Sequence, residues 1–327
     1  MNLFKKTKWR KKILFISSPI TTKLEDVETL DYFAYIVSML SQKLENVFSD
    51  YDLVVKVPEE DANPTDKQIN IIKGTIRTIK NNKREYEVII ISPHNKTELI
   101  KHIADLCEVS KNKVLLIDQG YFTDNEKFYF FERGIPCPPF VQSDWTQGGN
   151  IVGKAVNAYL KQKKICSPNI LFVGGGIGSE ERIEGFKKAL EDLSPSYLDT
   201  IIDGGYSRQK ASTEFSSFLT KIQNKTIDII FCTNDAMALG VKEVIGNIRD
   251  NKKPIIIGYD GIRDFTLPMN LGDPFLFATV DVNLTKQIDH LLMILKEIIE
   301  NNIDSLMIKD EKYKLYKNSI SLNENIS

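Results

Sequence analysis

Two short acidic turns hold the groups best suited to grip a hydroxylated ligand. Thr233-Asn234-Asp235 follows the apolar run Ile229–Phe231, and Gly258-Tyr259-Asp260-Gly261 follows Ile255–Ile257. Read as strands, both runs end in a side-chain carboxylate, and open parallel sheets bind ligands at the carboxyl ends of their strands. Carboxylates arriving there from consecutive strands accept hydrogen bonds from hydroxyl groups. Arg182, in Ser179-Glu180-Glu181-Arg182, adds a planar fork that can hold two hydroxyls or a carboxylate. Its bland alternative is a solvated arginine among glutamates. Asp118 ends a third apolar run, Val114–Ile117, and Asp144 precedes Trp145 and the pair Gly148-Gly149. Trp145 has a flat ring suited to stacking on a sugar or a planar ligand, and it also suits a core position. Phe33 fits an apolar helix face.

Other chemistries lack their residues. Cys107, Cys137, Cys166 and Cys232 are scattered, and His94, His102 and His290 form no cluster, so neither a metal nor a cofactor is expected. A glycine run follows Asn169–Val173, but Ser179 stands where the last glycine of a dinucleotide-binding GxGxxG belongs. No nucleophile elbow, Walker loop or catalytic histidine setting is present. Asp144, Asp235 and Asp260 are the carboxylates from which an acid–base pair would have to come. A binding protein is therefore expected rather than an enzyme. Lys plus Arg (43) nearly balance Asp plus Glu (44), so nucleic acid is not an expected partner. The run Ile13–Ile16 is too short for a signal-peptide core, and no stretch reaches the ~20 apolar residues of a membrane span. The expectation is a cytoplasmic protein with a basic tail at 1–11 and no stable membrane insertion; periplasm and envelope stay open.

Strands and helices alternate throughout, which predicts parallel α/β architecture. Strands are expected at Ile13–Ser17, Asp52–Val57, Val88–Ser92, Val114–Asp118 and Phe140–Ser143, with helices over 31–48, 67–80, 96–108 and 147–161. A second set follows: strands at Asn169–Val173, Thr200–Asp203, Ile229–Phe231, Ile255–Ile257 and Phe275–Val280, with helices over 180–190, 212–223 and 236–248. A long amphipathic helix over 284–301 and short strands near Leu306–Ile308 and Tyr313–Tyr316 close the chain. The aromatic stretch 121–140 is open to three readings: a roof over a ligand, a dimer contact or a local cluster.

The order of these motifs resembles the type I periplasmic binding protein superfamily, which includes ribose- and galactose-type sugar-binding proteins and lactose-repressor-type effector domains. Thr233-Asn234-Asp235-Ala236-Met237-Ala238-Leu239-Gly240 with Ile257-Gly258-Tyr259-Asp260-Gly261 carries the resemblance. Ser179-Glu180-Glu181-Arg182-Ile183-Glu184-Gly185-Phe186 matches the family's Ser-x-x-Arg-x-x-Gly-Phe helix. The resemblance implies two similar parallel-sheet lobes joined by a hinge: 12–142 plus 283–302, and 143–282 plus 303–322. It also implies a small polar ligand, a carbohydrate above all, gripped between lobes by Tyr32, Phe33, Asp118, Asp144, Trp145, Arg182, Asn234, Asp235 and Asp260, with closure as the signal. Two departures stand out: Gln119 replaces the arginine that commonly follows Asp118, and Val282 replaces a glutamine. A missing DNA-binding segment points to a free-standing sensor with a protein partner or a homodimer. An exported receptor for an ABC transporter or sensor kinase is the alternative, and an enzyme on the same scaffold a lesser one.

Overall fold

Apolar runs of three to six residues become strands, and the striped segments between them become helices. The computed structural model describes residues 10–18, 32–58, 63–82, 85–193, 195–222, 226–246, 254–300, 313–316 and 319–323. Its strands are β1 (Lys11–Ile16), β2 (Tyr51–Lys56), β3 (Val88–Ile91), β4 (Val114–Ile117), β5 (Phe140–Ser143), β6 (Asn169–Gly174), β7 (Ser196–Asp203), β8 (Ile229–Cys232), β9 (Ile255–Ile257), β10 (Leu276–Asp281), β11 (Tyr313–Tyr316) and β12 (Ser319–Leu322). Its helices are α1 (Tyr32–Val47), α2 (Pro64–Asn82), α3 (Lys96–Val109), α4 (Asp124–Glu132), α5 (Trp145–Gln162), α6 (Ser179–Lys188), α7 (Arg208–Lys221), α8 (Asp235–Gly246), α9 (Arg263–Asn270) and α10 (Leu284–Ile299).

The chain divides into two compact units, Met1–Gln142 with Leu284–Leu315, and Ser143–Asn283 with Tyr316–Ser327. One sheet has the order β11-β5-β4-β3-β1-β2 and the other β12-β10-β9-β8-β6-β7. The class is α/β, with two parallel-sheet units. All residues of β3, β4, β8 and β9 are buried, as strands covered by helices on both faces must be. Register then aligns the strand ends. Ile16 pairs with Ile91 in one sheet, and Val173 with Cys232 and Phe231 with Ile257 in the other. The residues that follow, Ser17 beside Ser92 and Gly174 beside Thr233, therefore stand together at each carboxyl edge, with Gly258 level with Cys232 and Tyr259 level with Thr233.

Three elements depart from the expected order. The stretch 121–140 contains α4, opened by a capping box in which Thr123 and Glu126 each satisfy the other's backbone N–H. Its aromatic residues are consecutive rather than spaced, and only Phe130 among them is buried, so no helical stripe announces it. Helix α9 holds an internal proline, Pro268, and β12 pairs antiparallel with β10. The strand expected near Leu306–Ile308, and most of the basic tail, lie outside the described residues.

Candidate functional site

The second unit builds its carboxyl edge around Arg182. This residue sits in the first turn of α6, and it is 8% exposed, which excludes the solvated arginine that its glutamate neighbours allow. Its Nη1 donates to the Thr233 carbonyl, and its guanidinium carbon lies 4.3 Å from the Tyr259 ring centre. Trp145 at 5.5 Å and Tyr206 at 5.8 Å complete an aromatic surround. A cation held against ring faces in a water-poor setting gains more than one at the surface.

Backbone proximity makes this surround possible. A Cβ on Gly149 would lie 2.0 Å from the Arg182 carbonyl oxygen, and one on Gly185 2.0 Å from that of Thr146. The two glycines let α5 and α6 touch backbone to backbone, which brings Trp145 over Arg182. Asp144 caps α5 by accepting from the Gln147 N–H at 2.9 Å. Ser179 Oγ ties three loops together, accepting from Gly175 N at 2.8 Å and meeting Thr233 Oγ1 at 2.8 Å and Tyr206 Oη at 3.0 Å.

Asn234 and Asp235 serve the frame of this edge. Asn234 Oδ1 accepts from Met237 N at 2.8 Å, and its Nδ2 donates to the Tyr206 carbonyl at 3.3 Å. Asp235 is fully buried. Its Oδ2 accepts from Ile262 N at 2.8 Å and its Oδ1 from Thr279 Oγ1 at 2.6 Å. Burial, and after it the charge of Asp260, pushes this carboxyl well above the ordinary carboxylate range. Asp235 thus fixes the loop that carries Asp260. That residue has φ 116°, donates its N–H to the Val280 carbonyl at 2.9 Å and bridges to Asp281. Tyr259 is fully buried, with its hydroxyl donating to the Trp145 carbonyl at 3.4 Å. Burial raises its pKa; the Arg182 charge opposes that rise, and those of Asp260 and Asp144 add to it. One guanidinium and two carboxylates therefore act on a single phenol.

The first unit has its own edge, braced by Gln68. This side chain is fully buried on α2, donates to the carbonyls of Ser17 at 2.9 Å and Ser92 at 2.8 Å, and accepts from His94 N at 2.8 Å. Asp118 follows β4 with φ 76°, a left-handed backbone that aspartate tolerates better than most residues. Gln119 spans a turn internally, with Nε2 donating to the His94 carbonyl at 3.0 Å and Oε1 accepting from Lys96 N at 3.4 Å. Burial lowers the pKa of His94, so its ring is neutral near pH 7. Tyr32 and Phe33 open α1 half-buried, their rings edge to face at 5.3 Å. Tyr206 and Gln68 carry no local sequence signal, since each acts through neighbours far along the chain, and Ser179 reads in sequence only as the first residue of its motif. Among the described residues no group of three His, Cys, Asp or Glu could hold a metal ion. Nor is any described helix long and apolar enough to cross a membrane.

The chain belongs to the family described as "Periplasmic binding protein domain", whose sequence model matches residues 33–301. Over 109 residues it is 29% identical to the D-allose-binding periplasmic protein of Escherichia coli (strain K12), covering 33% of this chain and 34% of that relative. Over 205 residues it is 24% identical to the HTH-type transcriptional repressor PurR of Histophilus somni (strain 2336), covering 57% of this chain and 60% of that protein. Its fold is similar to the crystal structure of an ABC transporter periplasmic solute binding protein from Actinobacillus succinogenes 130z with bound D-allose. The TM-score is 0.77 at 17% identity, over 97% of this chain and 99% of the other.

Proposed function

We propose that this protein binds a small polyhydroxylated ligand, a carbohydrate, without turning it over, and signals through a ligand-dependent change between its two units. The observation that carries the reading is the buried Arg182, stacked on Tyr259 beside the Asp260 loop. Fork, ring and carboxylate at one sheet edge are the groups a hydroxylated ring needs: donors, a flat apolar face and acceptors. Asp118, with Tyr32 and Phe33, is the contribution proposed for the first unit. A D-allose-binding relative, and a fold neighbour solved with bound D-allose, favour a sugar over other polar solutes. In this reading Asp144, Asn234 and Asp235 hold the site in shape, and Arg182, Trp145, Tyr206 and Asp260 meet the ligand.

Thermal-shift and calorimetric titration with D-allose, other aldoses, nucleosides and amino acids tests the proposal. Stabilisation by a sugar, lost in Arg182→Ala and Asp260→Ala, is the expected outcome. Indifference to every class, with both variants behaving like the parent, would end it. The signalling step is read separately, as a ligand-dependent change in small-angle scattering. Family membership also favours a second reading, an exported or envelope-associated receptor serving an ABC transporter or a sensor kinase. Cell fractionation separates that receptor from a cytoplasmic sensor with a protein partner or a second copy of itself.

A further inference from the structure

Asp118 has φ 76°, a region uncommon for residues with a Cβ although aspartate enters it more readily than most. Its carbonyl accepts from Gly120 N at 2.9 Å, and two sets of contacts hold the segment beyond it. On one side Gln142 Oε1 accepts from both Gly120 N at 2.9 Å and Tyr121 N at 3.0 Å. On the other stands a buried ion pair, Lys96 Nζ to Glu126 Oε2 at 2.6 Å, with side chains 11% and 10% exposed. The same ammonium donates to the Tyr121 carbonyl and lies 4.8 Å from the Phe122 ring centre. The same carboxylate accepts from Thr123 N at 2.8 Å, and the Lys96 backbone N–H meets Gln119. The Lys96 ammonium and Glu126 Oε2 thus both act on the segment 121–126 as well as on each other.

We propose that Lys96 and Glu126 are positioning residues for Asp118: their pair clamps the segment that follows it and so holds the proposed ligand contact in place without touching ligand. This rests on the reading of Asp118 given above. A buried pair costs desolvation that apolar or neutral replacements avoid, so stability alone gives weak reason to keep one. A clamp on the segment after Asp118 gives a better one, because charge-assisted hydrogen bonds are shorter and stronger than neutral ones.

The test compares the parent with Lys96→Met/Glu126→Gln. Glutamine at 126 keeps the capping box, and removing both charges leaves none buried and unpaired. The double variant is expected to stay folded while the Gly120 and Tyr121 amides, which Gln142 holds and the pair does not, exchange hydrogen about 10-fold faster or more. Its dissociation constant for D-allose is expected to rise by about the same factor. Lys96→Met alone, which strands a buried carboxylate, is expected to unfold more readily than the double variant. Unchanged exchange at Gly120 and Tyr121 would overturn the proposal. So would faster exchange with parental affinity for D-allose. If Asp118→Ala binds D-allose as the parent does, or the parent binds no sugar, it is the underlying reading that fails. The exchange measurement still decides whether the pair positions the segment.

Discussion

The Arg182 guanidinium carbon lies over the Tyr259 ring, 4.3 Å from its centre, with the guanidinium anchored on the Thr233 carbonyl and the phenol on that of Trp145. Neither side chain is placed by its own element. Arg182 comes from the first turn of α6 and Tyr259 from the residue pair after β9. They meet because β6, β8 and β9 are neighbours in register, so that their following loops converge.

Arg182→Lys is expected to fail at this meeting point. An ammonium is a point charge on a flexible stem and cannot both lie flat on Tyr259 and reach Thr233. The loss should be about 1–3 kcal/mol of unfolding free energy, from one charge-assisted hydrogen bond and a desolvated cation–ring contact. Urea unfolding reads the stability, and titration with D-allose reads the ligand. A variant as stable as the parent would show that the stack contributes nothing.

Much of this edge was legible in sequence because its residues sit at strand ends, where apolar runs stop and polar turns begin. Asp235 and Asp260 could be read for that reason, whereas Arg182, inside the first turn of α6, was legible through the Ser-x-x-Arg-x-x-Gly-Phe motif. What the carboxylates do was less legible. Asp235 and Asp260 read alike as acidic strand ends, but the first is enclosed by Ile262 and Thr279 and only the second remains half-buried. Tyr206 has φ 57° in a turn between β7 and α7, and its role depends on loops that no periodicity connects to it. Gln68 reads as one polar residue of an amphipathic helix; only the strand order shows that it bridges β1 and β3. Helix α4 had a readable start in Thr123-Asp124-Asn125-Glu126 but no stripe behind it.

Gly258→Ala tests how closely the Asp235 carboxyl is packed. A Cβ there would stand 2.0 Å from Asp235 Oδ1 and 3.0 Å from the Phe265 ring. Asp235 cannot retreat without giving up Thr279, so the clash must move the Asp260 loop. Overpacking of this kind costs about 1–3 kcal/mol. Chemical denaturation should show that loss together with weaker sugar binding. Full stability and full binding would mean that the loop yields freely.

Asp235 also predicts a pH dependence. Its pKa in the folded chain lies well above the ordinary 3.8, through burial first and Asp260 second. The folded state therefore binds more protons than the unfolded one between those two values. Its contribution is complete below 3.8 and is lost as pH rises through the folded pKa. Carboxyls whose pKa is lowered, such as Asp203 beside Lys210 and Glu87 between Lys113 and Lys11, act in the opposite sense. They are common to parent and variant, so the comparison with Asp235→Asn reads Asp235 together with its coupling to Asp260. The parent's stability relative to Asp235→Asn should decline as pH rises above 3.8 and through the raised folded pKa. Parallel curves would show that Asp235 is ionised in the folded chain throughout.

Gln68 carries the largest stability prediction, since it makes three buried hydrogen bonds from one side chain. Gln68→Leu preserves bulk but removes both donors and the acceptor. Ser92 O keeps the Ser18 hydroxyl at 3.0 Å, whereas Ser17 O and His94 N lose the partner seen here. Each buried polar group left unmet costs about 1–3 kcal/mol, so two of them give an expected loss of about 2–6 kcal/mol. Gln68→Glu separates geometry from polarity. A carboxylate can still accept from His94 N, but it turns acceptor against acceptor at the Ser17 and Ser92 carbonyls, so it should be no more stable than the leucine variant. Because those serines follow β1 and β3 at the carboxyl edge, both variants should also weaken sugar binding at temperatures where they remain folded. Urea titration beside calorimetry decides it: a Gln68→Leu protein with parental stability would mean that the brace is dispensable, and that register alone keeps Ser17 beside Ser92.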